Sequence, residues 1–194
     1  MNSKWRPDPN GEFETLNEMK PGVTSLENKN KNVQYMDTFL FESDETTKSI
    51  YMIEEERIKK GGDLTSERLF AERLRLQLSE AERLFREGIA ARVVYSGGKS
   101  YHIIVRIADE CPDLESYRWL HAHLATQLSD KLVFDSTTAD PARLTRAPIL
   151  IEREFEYHGV LVRGMQKPIH TNWGAVYHYD WKPLYEQWKN RPLA

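Results

Sequence analysis

A glycine-rich turn carries residues whose types and spacing could bind an anion. The stretch at positions 91–107 reads ARVVYSGGKSYHIIVRI. Its hydroxyl and imidazole groups can donate hydrogen bonds, its lysine adds a positive charge, and its two glycines let backbone N–H groups approach a ligand closely. The residues concerned are Ser96, Gly97, Gly98, Lys99 and His102. A nucleoside triphosphate is the anion that we expect this turn to bind.

The apolar runs on either side of the turn predict the element that positions these residues. Both runs, 93–95 and 103–105, are rich in β-branched residues, which is typical of buried strands, so the stretch predicts a hairpin. The GGKS sequence resembles the end of a P-loop, but Val93 stands where that motif needs its first glycine. The residues after GGKS also have strand composition where a P-loop needs a helix. We therefore exclude a P-loop, and an ordinary hairpin with a packed or solvated histidine is the alternative.

Two acidic residues follow another predicted strand. Residues 33–41, VQYMDTFLF, are apolar and aromatic, and Glu42 and Asp44 come directly after them. Residues two apart on an extended chain point to the same face, so these carboxylates repel each other unless a cation lies between them. Oxygen ligands at a strand end suit Mg²⁺ or Mn²⁺. For this pair taken alone, a solvated acidic turn is the alternative.

A third group of charged residues lies further along the chain. Residues 131–135, KLVFD, predict a short strand that ends at Asp135, and Arg143 and Arg146 come shortly before Pro148. Taken singly, Asp135 could cap a strand end and Arg146 could form a surface ion pair. Taken with the other two groups, they supply the carboxylates and cations that nucleotidyl transfer needs for metal ions and for a triphosphate.

The composition is typical of one soluble globular domain. The chain has 194 residues, of which 40% are hydrophobic and 29% charged, and its net charge of −3 excludes a uniformly basic nucleic-acid-binding protein. Cys111 is the only cysteine, which excludes an internal disulfide and a cysteine-based zinc site. No apolar run approaches the ~20 residues that a membrane span needs, and no signal-peptide pattern follows Met1, so we expect a cytoplasmic location.

Apolar periodicity and helix-capping residues predict helices between these strands. We expect helices at 49–60, 66–88 and 114–128 and near the C-terminal end, and a further strand at 157–163. The arginine and glutamate faces of the second helix are interpreted as solvated. His121 and His123 lie two apart on the third helix, so they do not share a face and are interpreted as structural or exposed.

Residue composition also predicts the division of the chain. Residues 1–32 are polar and are interpreted as a poorly ordered or peripheral N-terminal arm. Residues 33–194 form the main domain, and its aromatic tail from about residue 170 is expected to pack rather than to stack on bases.

The three groups occur in an order that resembles the archaeo-eukaryotic primase superfamily, including the primase–polymerases of plasmids and phages. The matching segments are FLFESDE, YSGGKSYHIIV and VFDSTTADPARLTRAP. In that family an acidic pair closes a strand, an SGxxGxH-like turn joins two strands, and a strand-borne aspartate precedes a basic residue and a proline. The resemblance covers about residues 36 to 150, and the ordered triplet carries it rather than any single motif.

The resemblance implies a fold and a chemistry. The implied fold is α/β (α+β), with an RRM-like antiparallel sheet, a second αβ unit and the active-site cleft between them. The implied function is that of a metal-dependent nucleotidyltransferase that makes primers or extends DNA. The implied catalytic metal ligands are Glu42, Asp44 and Asp135, with two Mg²⁺ or Mn²⁺ ions and no zinc. The implied nucleotide-binding residues are Ser96, Gly97, Gly98, Lys99, His102, Arg143 and Arg146. The implied partners are single-stranded DNA, nucleoside triphosphates and a replicative helicase, fused or separate.

The sequence departs from the family at three points. Ser100 stands where the family usually has glycine, the first motif reads glutamate then aspartate, and the zinc module of many members is absent. Two other functions remain open. One is a catalytically silent relative that binds single-stranded nucleic acid or nucleotide, and the other is a replication adaptor whose aromatic tail recruits a helicase.

Overall fold

The computed structural model describes residues 10–23, 25, 29–43, 66–157 and 160–191. Asp44 and the helix predicted at 49–60 lie outside these ranges. Within them the strands are β1 (Phe13–Thr15), β2 (Thr38–Phe41), β3 (Ala90–Tyr95), β4 (Tyr101–Arg106), β5 (Leu144–Arg146), β6 (Ile151–Tyr157) and β7 (Val160–Thr171). The helices are α1 (Ser66–Arg86), α2 (Leu114–Gln127) and α3 (Lys182–Lys189). The predicted α/β class is confirmed as a mixed architecture of helices and antiparallel sheets.

The central sheet has the strand order β2-β4-β3-β7-β6, and every neighbouring pair is antiparallel. The predicted hairpin is confirmed as β3 and β4, which pair from Ala90 with Val105 to Tyr95 with Tyr101. The helix predicted at 66–88 ends at Arg86, where Gly88 takes a positive φ of 74° and Ile89 donates to the carbonyl of Leu84.

The two faces of this sheet bury different groups because side chains alternate along a strand. One face packs under the helices, where Phe39, Phe41 and Ile103 join Leu84 of α1 and Leu120 of α2 in the main core. Each fully buried side chain of this kind stabilises the fold by about 1.5–3 kcal/mol. The aromatic tail joins the same core through the buried side chains of Trp181 and Tyr185, so the expectation that it packs is confirmed.

The other face carries the candidate polar residues. Leu40 and Ile104 on this face pack against Leu16 in a small second cluster. Next to it, β1 and β5 pair as a two-stranded antiparallel sheet with Phe13 opposite Arg146 and Thr15 opposite Leu144. Residues 13–15 of the predicted N-terminal arm thus belong to a sheet, and the division of the chain at residue 32 stays a prediction.

Two of the expected strands differ from the structure. Residues 131–135 form no strand, although Leu132 and Phe134 are buried in alternation, and the segment docks on the sheet through the N–H of Asp135. The strand expected at 157–163 is replaced by two long strands, β6 and β7, which pair from Ile151 with Gln166 to Tyr157 with Val160. Within the described ranges, no helix is both long and apolar enough to cross a membrane.

Candidate functional site

Glu42 and His102 meet at one end of the central sheet. Phe41 pairs with Ile103 in the register of β2 and β4, so Glu42, which follows β2, comes beside His102 near the start of β4. The Nε2 atom of His102 lies 2.9 Å from Oε2 of Glu42. The side chain of His102 is 8% exposed and that of Glu42 is 17% exposed. Water therefore competes little for this hydrogen bond, which is stronger than it would be on the surface.

The second ring nitrogen of His102 fixes the direction of this contact. Nδ1 receives the backbone N–H of Arg146 at 3.3 Å and lies 2.9 Å from the hydroxyl oxygen of Thr145. Because an N–H group can only donate, Nδ1 acts as the acceptor and the ring proton is on Nε2. His102 therefore donates to the carboxylate of Glu42.

The pKa of Glu42 is lowered from its ordinary value of 4.5. Burial alone would raise this pKa, but the hydrogen bond from His102 and the positive charges of Arg143 and Arg146 outweigh burial. Glu42 is thus an ionised carboxylate in a mostly buried position, which is the state that cation binding requires.

Arg143 and Arg146 approach Glu42 in different ways. The NH2 atom of Arg143 lies 3.8 Å from Oε1 of Glu42, and its NH1 atom donates to the carbonyl of Thr137 at 3.2 Å. Arg146 is 13% exposed, and its NH1 atom lies 3.4 Å from Oε2 of Glu12. Its guanidinium group also lies over the ring of Phe13 at 3.9 Å. Of the two arginines, Arg143 is therefore the more accessible to a ligand.

Asp135 lies beside Glu42 through the backbone. Its N–H donates to the carbonyl oxygen of Glu42 at 2.9 Å. Its carboxylate caps a short 3₁₀ turn (Ser136–Thr138). Oδ1 of Asp135 accepts a hydrogen bond from the backbone N–H of Thr137 at 2.8 Å, and Oδ2 accepts one from the hydroxyl group of Thr137 at 2.6 Å. Two of the three predicted metal ligands, Glu42 and Asp135, thus lie on backbone segments that are hydrogen-bonded to each other.

The donor chemistry at this position fits Mg²⁺ or Mn²⁺, because an ionised Glu42 and a partly exposed Asp135 offer oxygen ligands. Within the part of the chain that the structure describes, no group of three histidine, cysteine, aspartate or glutamate residues is arranged to hold a metal ion. The third predicted ligand, Asp44, lies outside that part.

The glycine-rich turn is closed by its own hydrogen bonds. The hydroxyl oxygen of Ser96 accepts the N–H groups of Gly98 at 3.2 Å and Ser100 at 3.3 Å. Gly97 adopts a φ of 70° and packs against β7, since a Cβ atom there would lie 2.5 Å from the nitrogen of Gln166. Lys99 is exposed. The backbone N–H groups that we expected to face a triphosphate thus serve the turn itself, at Gly98 and Ser100.

Arg73 of α1 links this turn to the end of β2. Its NH2 atom contacts the carbonyl oxygens of Lys99 and, at 3.4 Å, of Ser43. Arg73 is 2% exposed, so the interpretation of the arginines of this helix as solvated is wrong at this position. The helical spacing of the sequence could have indicated this burial, because Arg73 lies on the same helix face as the buried Gln77 and Leu84.

A cleft on the same sheet face does not include the candidate residues in its lining. It has a volume of about 880 Å³ and lies at the opposite end of the same sheet face, where Thr38 pairs with Arg106. Its lining also includes Arg92, Trp173 and Asp109. Glu42, His102, Asp135 and Arg143 do not line this cleft.

Comparisons with known proteins give one similar structure. No family model and no curated protein matches this sequence. A solved structure of the AEP domain of the primase–polymerase of cyanophage S-2L is similar, with a TM-score of 0.43 and 14% identity over 90% of this chain and 68% of that chain. We therefore base the proposed function on the site itself.

Proposed function

We propose that this protein is a metal-dependent nucleotidyltransferase that makes primers or extends DNA on a single-stranded template. One observation carries the proposal. Glu42, from the first predicted motif, accepts a hydrogen bond from Nε2 of His102 in the second motif. Glu42 also adjoins Arg143 and the backbone of Asp135 from the third motif. Residues more than 90 positions apart in sequence thus meet at one end of a sheet, in the chemical types that polyphosphate chemistry needs.

Each side chain has a role in this proposal. Glu42, Asp44 and Asp135 would hold two Mg²⁺ or Mn²⁺ ions, which supply activation of a 3′-hydroxyl and stabilisation of the pyrophosphate leaving group. Arg143 offers a guanidinium group to the negative charge of the triphosphate. His102 orients the carboxylate of Glu42 through its Nε2 proton, and Lys99 stands exposed at the neighbouring turn.

The finer features of the fold and setting belong to the same proposal. The central antiparallel sheet would be the RRM-like unit of the primase fold, and the active-site cleft would lie on its polar face, toward β1 and β5. The partners would be single-stranded DNA, nucleoside triphosphates and a replicative helicase, in the cytoplasm during prokaryotic or viral replication, with no zinc and no membrane.

A catalytically silent relative is the second candidate. It is favoured by the carboxylate of Asp135, because both of its oxygens accept hydrogen bonds from Thr137 and so have a capping role that needs no metal ion. Such a relative would bind nucleotide or single-stranded nucleic acid without transferring a nucleotidyl group.

The test is a primer-synthesis assay on single-stranded DNA with labelled ribo- and deoxynucleotides and either Mg²⁺ or Mn²⁺. We expect the wild type to form product and Glu42→Gln, Asp44→Asn and Asp135→Asn to lose it. Asp135→Asn retains the side-chain oxygen that accepts the N–H of Thr137, so a loss of activity in this variant would not reflect a missing cap. Asp130→Asn, an exposed carboxylate of the preceding loop, is the matched control and should remain active. Binding of DNA or nucleotide without any product from the wild type would favour the silent relative.

A further inference from the structure

His121 lies where the elements that bear Glu42 and Asp135 meet. It projects from α2 and is 1% exposed, and its Nε2 atom lies 3.0 Å from the carbonyl oxygen of Leu40 and 2.9 Å from Oγ1 of Thr138. Leu40 is two residues before Glu42 in sequence, and Thr138 is three residues after Asp135. A single ring nitrogen therefore links the strand of one candidate carboxylate to the turn of the other.

Hydrogen-bond chemistry shows which atom carries the proton of His121. The carbonyl of Leu40 can only accept, and the hydroxyl of Thr138 donates its own proton to the carbonyl oxygen of Asp135 at 2.6 Å. Both neighbours of Nε2 act as acceptors, so Nε2 is a donor shared between them. Burial lowers the pKa of His121, which keeps the ring neutral near pH 7.

The imidazole is also fixed by packing. Its ring stacks on that of Phe41 with the centroids 4.7 Å apart and the planes 15° from parallel. Phe41 is the last residue of β2 and directly precedes Glu42. A second connection joins the same two elements, since the N–H of Asp135 donates to the carbonyl of Glu42 at 2.9 Å. The strand and the turn are thus held together at two points, and one of these points is His121.

We propose that His121 is a positioning residue that sets the separation of the carboxylates of Glu42 and Asp135 for divalent-cation binding. This inference rests on the proposed function, because it takes these two carboxylates as cation ligands. A purely structural histidine would affect folding alone, whereas a positioning residue changes the cation affinity of a folded protein. Mutation of a residue that hydrogen-bonds to a metal ligand typically lowers metal affinity about 10–100-fold. His121 acts through the backbone of the ligand-bearing elements, so we expect a loss at the lower end of that range.

The experiment measures Mn²⁺ affinity of the metal-free full-length chain by electron paramagnetic resonance of free Mn²⁺, with circular dichroism to verify folding. His121→Phe retains an aromatic ring to stack on Phe41 but removes the donor, and we expect its Kd to rise about tenfold. His121→Gln places an amide donor near the position of Nε2 and should recover most of the affinity. His123→Phe is the matched control on the same helix, because His123 stacks on Trp119 and bonds to Tyr179. Its Kd should equal that of the wild type.

Asp135→Asn separates the failure of this inference from the failure of the proposed function. If the wild type does not bind Mn²⁺, or Asp135→Asn binds it equally well, the carboxylate assignment fails and the role of His121 fails with it. If Asp135→Asn weakens binding while a folded His121→Phe binds like the wild type, only the role of His121 is overturned.

If His121→Phe does not fold, Thr138→Val provides the test, since it removes the hydroxyl group that accepts the hydrogen bond of His121 at nearly constant side-chain size. A tenfold rise in Kd for folded Thr138→Val would support the inference, and wild-type affinity would overturn it.

Discussion

Glu42 keeps its negative charge although most of its side chain is buried. Its environment explains this, because the donated proton of His102 and the nearby arginine charges outweigh the effect of burial on its pKa. The sequence predicted that Glu42, His102 and Arg143 act at one site. It could not predict that the imidazole binds the carboxylate directly, since that contact depends on the register of β2 and β4.

The lowered pKa of Glu42 predicts how folding stability depends on pH. The folded pKa lies below the ordinary value of 4.5, so the ionised carboxylate stabilises the fold above pH 4.5. This contribution is lost as pH falls below 4.5 and through the folded pKa. We expect the stability advantage of the wild type over Glu42→Gln to decrease progressively as pH falls below 4.5. Urea denaturation at a series of pH values measures it, and a difference independent of pH would contradict the prediction.

Arg143 is the residue that we expect to dominate nucleotide affinity. Arg146 is engaged with Glu12 and Phe13, whereas Arg143 is 35% exposed beside Glu42. Loss of one charge-assisted contact costs about 1.5–3 kcal/mol, so Arg143→Ala should weaken nucleotide binding about 10- to 150-fold.

Affinity for single-stranded DNA should be unchanged in Arg143→Ala, because the side chain adjoins the proposed metal ligand. Nucleotide titration and DNA fluorescence anisotropy measure the two affinities separately. Arg163→Ala, an exposed arginine of β7 paired with Glu154, is the control and should change neither. Weaker DNA binding with intact nucleotide binding would move Arg143 to the template groove.

At the scale of secondary-structure elements, the sequence predicted those parts whose local pattern agrees with their tertiary setting. The β-branched runs around the glycine turn correctly predicted the hairpin of β3 and β4. The apolar stripe of α1 predicted the C-terminal end of this helix to within two residues, at 88 instead of Arg86. The strand expected at 131–135 was wrong, because Leu132 and Phe134 alternate toward the core without any partner strand. The three-residue strand β1 was missed, since it is short and its partner β5 lies about 130 residues away in sequence.

The hairpin turn depends on glycine at position 97 for two separate reasons. Its φ of 70° disfavours other residues, and a Cβ atom would lie 2.5 Å from the backbone nitrogen of Gln166. Gly88→Ala isolates the first effect, because Gly88 has a φ of 74° and no atom within 4 Å of an added Cβ. We expect Gly88→Ala to cost about 1–2 kcal/mol of unfolding free energy and Gly97→Ala about 1–3 kcal/mol more. Urea denaturation measures both, and equal losses would show that the turn can move away from β7.

At the scale of the whole molecule, a buried ion pair joins the two sheets. Oε1 of Glu14 on β1 lies 2.7 Å from NH2 of Arg92 on β3, and the two side chains are 2% and 1% exposed. Trp173 covers the guanidinium group at 4.6 Å. Buried charges are rare outside functional or paired positions, so the polar sequence of residues 1–32 did not indicate that Glu14 would be part of the core. This pair holds β1 and β5 against the central sheet, including Arg146, whose backbone N–H bonds to Nδ1 of His102.

Breaking this pair from one side should therefore be far more damaging than replacing both of its members. Glu14→Leu leaves the charge of Arg92 buried without its carboxylate, which typically costs about 3–5 kcal/mol. The double variant Glu14→Leu/Arg92→Met removes both charges and should recover most of that loss, since apolar replacement of a buried pair is often neutral. The free energy of unfolding from urea denaturation of the wild type, both single variants and the double variant gives the coupling energy of the cycle. If the two single losses simply add in the double variant, the ion pair does not couple the two sheets, and packing around Leu16 must hold β1 in place.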